Sequence, residues 1–147
     1  MDQLEVISNG AGIQEQDKES MIHLLGETDT TWNNRDAKAF AALFEVRADF
    51  QFHTGLRIQG KDAIEKFWGE EVFPGMSEGL RHIGTLKRIR FISDNVAICD
   101  GELKIIELSV EQEQQQVHLE TQVTVVVVKQ SAHWYISAIR LISFASK

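Results

Sequence analysis

The segment ADFQFHTG brings an acid, two phenylalanines and a histidine into short alternation: Asp49, Phe50, Phe52 and His53. A carboxylate and an imidazole beside an apolar wall could move a proton near neutral pH, because histidine changes charge there and a carboxylate can fix its tautomer. Strand alternation puts Asp49 and His53 on one face and the phenylalanines on the other. Four residues of strand rise then separate acid and histidine by about 13 Å. They cannot bond directly in an extended strand. Asp49 reads equally as the partner of a cation or of a turn, His53 as a rim histidine, and Phe50 and Phe52 as a pocket wall.

Two further acids, Asp100 and Glu102, share a strand face about 7 Å apart, where each would disturb the other's ionisation if both left water. In solvent they are ordinary strand-face acids. Arg140 raises a sharper question, since a guanidinium partly removed from water needs an acceptor. That acceptor is a carboxylate such as Asp49, Asp100 or Glu102, or an anionic group on a ligand. Trp32, Trp68 and Trp134 stand at core positions of their elements and serve either packing or cavity lining. The histidines (His23, His53, His82, His118, His133) have no HxH or HxxxH spacing, so no metal site is expected. Cys99, the sole cysteine, lies in the apolar run VAICDG without an adjacent base and reads as a small buried hydrophobe.

The elements that must position these groups are legible from periodicity. The first sixteen or so residues, punctuated by Asn9-Gly10 and Gly12, read as a loose tail, 1–17, before a single domain over 18–147. Met21, Leu25, Thr28 and Trp32 line one face of a first helix that ends near Asn33-Asn34. Asp36 caps a second helix, whose stripe is Ala37, Phe40, Ala41 and Phe44. A hairpin follows, from Ala48 through the Thr54-Gly55 turn to Leu56–Ile58. Gly60 opens a third helix carrying Ala63, Ile64, Phe67, Trp68 and Val72, stopped at Pro74-Gly75. Long strands fill the rest: Arg81–Ile92, Val96–Leu108, a polar EQEQQQ loop, Val117–Lys129 and His133–Phe144, paired antiparallel through short turns. Thr124–Val128 reads TVVVV, apolar toward both faces, which predicts a partner subunit on the face the helices do not cover.

The chain has 147 residues, enough for one core without disulfides. Its net charge of −7 and absence of a basic stripe disfavour nucleic acid. No stretch has the apolar length of a membrane span, and the acidic start lacks the pattern of a signal peptide, so a cytoplasmic location is expected.

The order helix, helix corner, hairpin, helix and four long strands resembles the nuclear transport factor 2-like, or SnoaL-like, superfamily, and within it the small SgcJ/EcaC type. The residues carrying the resemblance are TWNNRDAKAFAALF, ADF, IQGKDAIEKFW, VAICDGEL and HWYISAIR, over about residues 18–144. It implies an α+β cone: a curved, mainly antiparallel, mixed sheet wrapped around three N-terminal helices, the cystatin-like arrangement, enclosing a cavity. It also implies that Trp134 packs toward the helices. Counting by twos along Trp134, Ile136, Ala138 and Arg140 then sends Arg140 to the cavity mouth. The superfamily holds isomerases, cyclases, dehydratases, hydrolases and members that only bind or assemble, so the fold selects no chemistry. The ketosteroid isomerase pattern is not met: Thr28 stands at its tyrosine position and Phe52 at its aspartate base.

The expected function is binding of a small, partly apolar molecule, with cofactor-independent isomerase, cyclase or hydrolase chemistry if the chain is an enzyme. Asp49, His53 and Asp100 are the catalytic candidates. Trp32, Phe50, Phe52, Trp68, Trp134 and Arg140 are the ligand-binding candidates. No metal, cofactor, nucleic acid or membrane is called for, and a homodimer forms through the sheet face. The alternative is a non-catalytic dimerisation or assembly module of the same fold.

Overall fold

The computed structural model describes residues 4–8, 15–109 and 114–144. Three helices, α1 (Glu15–Asn33), α2 (Ala37–Ala41) and α3 (Lys61–Phe67), pack together, α1 and α3 lying against one seven-stranded sheet. Its strands are β1 (Glu5–Ser8), β2 (Phe44–Gln51), β3 (Arg57–Gln59), β4 (Leu80–Ser93), β5 (Val96–Ser109), β6 (Gln114–Gln130) and β7 (His133–Ser143). They lie in the order β1-β4-β5-β6-β7-β2-β3. The β1–β4 and β2–β7 pairs are parallel and the rest antiparallel, so the sheet is mixed, curved and unclosed.

The corner after α1 is closed by local chemistry. Arg35 takes a left-handed conformation (φ 58°); its N–H donates to the Trp32 carbonyl (2.9 Å) and the Asp36 N–H to the Thr31 carbonyl (3.0 Å). These are the two bonds of a Schellman ending, which satisfy carbonyls the helix would leave bare. Asp36 then caps α2 by accepting from the Ala39 N–H at 3.0 Å. Helix α2 is shorter than its apolar stripe suggests. Phe44 belongs to β2 instead, because the Leu43 carbonyl accepts from the Ile136 N–H (2.9 Å) and draws the chain into parallel pairing with β7. After Phe67 the third helix widens into a π-helical turn over Trp68–Val72.

Glu5–Ser8, expected within a loose tail, forms β1 against Arg88–Phe91, with Leu4 and Val6 packed on the core. The expected Asn9-Gly10 and Gly12 breaks and the start of EQEQQQ lie outside the described residues. Gln114–Gln116 already belong to β6, pairing Ser109–Glu107. The core between helices and sheet includes Met21, Phe44, Ile64, Ile89, Val127 and Ile136, each no more than 1 % exposed. Full burial of such a side chain contributes about 1.5–3 kcal/mol.

Candidate functional site

Between α1 and the inner face of β4–β7 lies a cavity of about 290 Å³. Its wall is mostly apolar, with Leu25, Phe40, Phe50, Leu103, Val125 and Ile139 among the lining residues. Asp29 from α1 and His82 from β4 stand in that wall and meet there. His82 Nδ1 lies 2.6 Å from Asp29 Oδ1, with side chains 13 % and 27 % exposed. A carboxylate oxygen here accepts from Nδ1–H, and in the neutral ring that tautomer leaves the lone pair on Nε2. The Gly84 N–H also donates to Asp29, at 3.0 Å to Oδ1 and 3.2 Å to Oδ2. A Cβ built on Gly84 would meet Asp29 Oδ1 at 3.4 Å, an ordinary contact distance, so the carboxylate lies directly against the strand backbone.

The last turn of α1 fixes the histidine as well as the acid. Asn33 accepts from the His82 N–H through Oδ1 (2.7 Å) and donates through Nδ2 to the His82 carbonyl (3.0 Å). The amide stands in for a neighbouring strand where β1, paired only with Arg88–Phe91, does not reach. Trp32 lies against the imidazole with ring centroids 5.2 Å apart and planes 35° apart. Arg35 covers Trp32 in turn, its guanidinium carbon 5.1 Å from the ring centre, and donates to the carbonyls of Ser77 (2.9 Å) and Leu80 (3.0 Å). Burial and then the nearby Arg81 charge lower the Arg35 pKa. Asp29, Trp32 and Asn33, at i, i+3 and i+4, thus present one helix face to β4.

Arg140 does not face the cavity mouth, contrary to the count along β7. Val127 pairs with Ile136 but Val126 pairs with Ala138, so Ser137 is an extra residue and the alternation changes phase there. Trp134 and Ile136 point inward before the bulge and Ile139 and Leu141 after it, all buried. Arg140 emerges on the outer face, where Nη1 bonds Asp49 Oδ1 at 2.5 Å. Of the acceptors open to it, the carboxylate of Asp49 is the one found.

Asp49 and His53 are not brought together; His53 lies in the exposed turn after β2. Asp100 borders the cavity, but its carboxylate accepts from Thr124 Oγ1 (2.8 Å) and stands 4.0 Å from Arg88, on the face opposite Cys99. Glu102 pairs with Lys87 at 3.2 Å. Phe50 lines the cavity, while Phe52 and Trp68 stack behind it at 4.8 Å from its ring. Trp32 and Trp134 are buried outside the lining, Trp32 against His82 and Trp134 donating to Asp17 Oδ1 (3.0 Å). Cys99 is in the wall. Burial, and then the Asp100 charge, push its thiol up to about 12, so it is neutral there. Among the described residues no group of three or more histidines, cysteines or acids is placed to hold a metal ion.

No protein-family model matches the chain, and no curated protein matches it by sequence. Solved structures do match. A domain of unknown function with a cystatin-like fold from Nostoc punctiforme superposes with a TM-score of 0.79 at 20% identity, over 91% of this chain and 81% of that one. A hexachlorocyclohexane dehydrochlorinase from Novosphingobium barchaimii gives 0.71 at 17%, over 90% and 96%. A candidate scytalone dehydratase from Novosphingobium aromaticivorans gives 0.70 at 17%, over 89% and 89%. Others are described as nuclear transport factor 2-like. The chain therefore has the cystatin-like, nuclear transport factor 2-like fold that its sequence resembles.

Proposed function

We propose that the chain is a cofactor-independent enzyme of the lyase type, in which His82 removes a proton from carbon of a small, partly apolar molecule held in the cavity. The observation that carries this reading is the 2.6 Å Asp29–His82 contact in the wall of a mostly apolar cavity. Asp29 holds the imidazole in the tautomer that leaves Nε2 basic and offsets the charge that forms when Nε2 takes the proton. The C–H electron pair becomes the new C=C bond, and the neighbouring substituent departs with its own bonding pair. The names of two matching structures, a dehydrochlorinase and a candidate dehydratase, support elimination as the reaction class. The test is incubation with a halogenated cyclohexane and with a hydroxylated dihydronaphthalenone, following the alkene or aromatic product by gas chromatography and absorbance. Turnover should fall about 10²–10⁴-fold in His82→Gln and Asp29→Asn, the span of general-base catalysis. Turnover that survives both changes would sink the assignment.

A second reading concerns partners. Val126 and Val128 lie on the outer face of β6, partly exposed, while Val125 and Val127 fill the core. We infer that a second copy of the chain covers that face, which would accompany catalysis or, in an assembly module, replace it. No helix among the described residues is long and apolar enough to cross a membrane. Sedimentation of the wild type against Val126→Lys tests the dimer: an unchanged monomer in both removes it.

A further inference from the structure

We propose that the cavity admits only uncharged molecules, of about the size of two fused rings, and turns away their carboxylate counterparts. This deepens the reading above and rests on the same cavity being the ligand site. Size follows from volume: a dry apolar cavity of about 150 Å³ holds one benzene ring, and this one, at about 290 Å³, has room for roughly two. Charge follows from the wall. Among the described lining residues there is no lysine or arginine, whereas three acids, Asp29, Asp100 and Glu102, are; Asp29 is paired with His82, and Arg88 and Lys87 lie against Asp100 (4.0 Å) and Glu102 (3.2 Å).

Lys87 and Arg88 are paired with acids of the wall, and other nearby cations are committed elsewhere. Arg140 is held by Asp49 on the outer face, and Arg35 by backbone carbonyls and the Trp32 ring. Lys129 bonds Asp17 at 3.1 Å. An anion entering the cavity would leave water without a counter-charge and would sit near an existing negative one, and both effects oppose it. A neutral molecule meets neither penalty, and a single hydroxyl or carbonyl on it can share a hydrogen bond with the imidazole.

The experiment compares 2-naphthol with 2-naphthoate, molecules of similar shape that differ in charge at neutral pH, by calorimetric titration of the whole chain. The expected result is that 2-naphthol binds at least about tenfold tighter. Ile22 lines the cavity and is 44% exposed, so Ile22→Lys can place an ammonium at the edge without disturbing the core. That variant should shift the preference toward 2-naphthoate, narrowing the ratio of the two affinities; an unchanged ratio counts against the charge argument. Equal or tighter binding of 2-naphthoate by the wild type overturns the inference, as does binding of neither probe. Failure here is distinguishable from failure of the catalytic reading. Selective uptake of 2-naphthol, with product formation that ignores His82→Gln and Asp29→Asn, removes the reaction and supports the selectivity. Dyad-dependent turnover of an anionic substrate does the reverse.

Discussion

Asp29 and His82 come from elements 53 residues apart and meet through Oδ1 and Nδ1 at 2.6 Å, while Gly84, two residues along the same strand, donates its N–H to the same carboxylate. The acid therefore binds both the ring and the backbone of β4. If the pair is poised as a base, the imidazole should carry its hydrogen on Nδ1 in the ligand-free protein. Nitrogen-15 spectra of selectively labelled histidine should give the Nδ1–H pattern for His82 in the wild type, and a mixture in Asp29→Asn, whose amide can also donate. A predominant Nε2–H form in the wild type would contradict the arrangement.

Asn33 should matter to the same ring without touching a ligand. Its two bonds to the His82 backbone hold the strand where no neighbouring strand does. Asn33→Ala leaves a part-buried N–H and carbonyl unpaired, which costs about 1–3 kcal/mol. A purely structural role predicts loss of stability alone. A positioning role predicts that the His82 nitrogen shifts also change in protein that remains folded, and that Asn33→Asp, which keeps the acceptor, restores them in part.

Replacing Arg140 should act on stability and not on the cavity. The Arg140–Asp49 pair is partly exposed, at 34% and 22%, so solvent screening reduces its worth below that of a fully buried pair. Arg140→Met is expected to lower stability by about 1–2 kcal/mol, measured by urea unfolding. Affinity for 2-naphthol should stay at the wild-type value. A large loss of that affinity would return Arg140 to the ligand site.

Cys99 provides a pH signature at the alkaline end. Its thiol is pushed up to about 12 in the folded chain, from an ordinary value of 9.0. Between those values the unfolded chain loses the proton and the folded chain keeps it, so stability is fully present below pH 9 and falls as pH rises toward about 12. The slope has an upper limit of about 1.4 kcal/mol per pH unit. Urea unfolding of the wild type and Cys99→Ala across this range should show the wild type declining more steeply. Parallel curves would refute the buried, protonated thiol.

The chain's periodicity determined most of its elements, but not β1, read as a loose tail, nor the end of α2, whose stripe ran on to Phe44. Apolar residues three and four apart specified α1, the glycine at Gly60 and the acid at Asp36 marked where helices begin, and long alternating runs gave β4 to β7. The inward placement of Phe50, the burial of Cys99 and the two-faced valine run could also be read locally, since each depends only on alternation within one strand. What tertiary structure decided was phase and pairing. The β7 bulge at Ser137 reversed the direction of Arg140, and counting by twos cannot see an inserted residue whose place is set by the partner strand. A second irregularity, between Leu86 and Arg88, hid His82: counting back from buried Ile89 and Phe91 points it outward, whereas the chain turns it in toward α1. Asp29 left one faint trace, four residues after Leu25 and three before Trp32 on the helix's inner side. Its meeting with His82 depends on how α1 lies across β4, and that is set by long-range packing of the core, which no window of sequence contains.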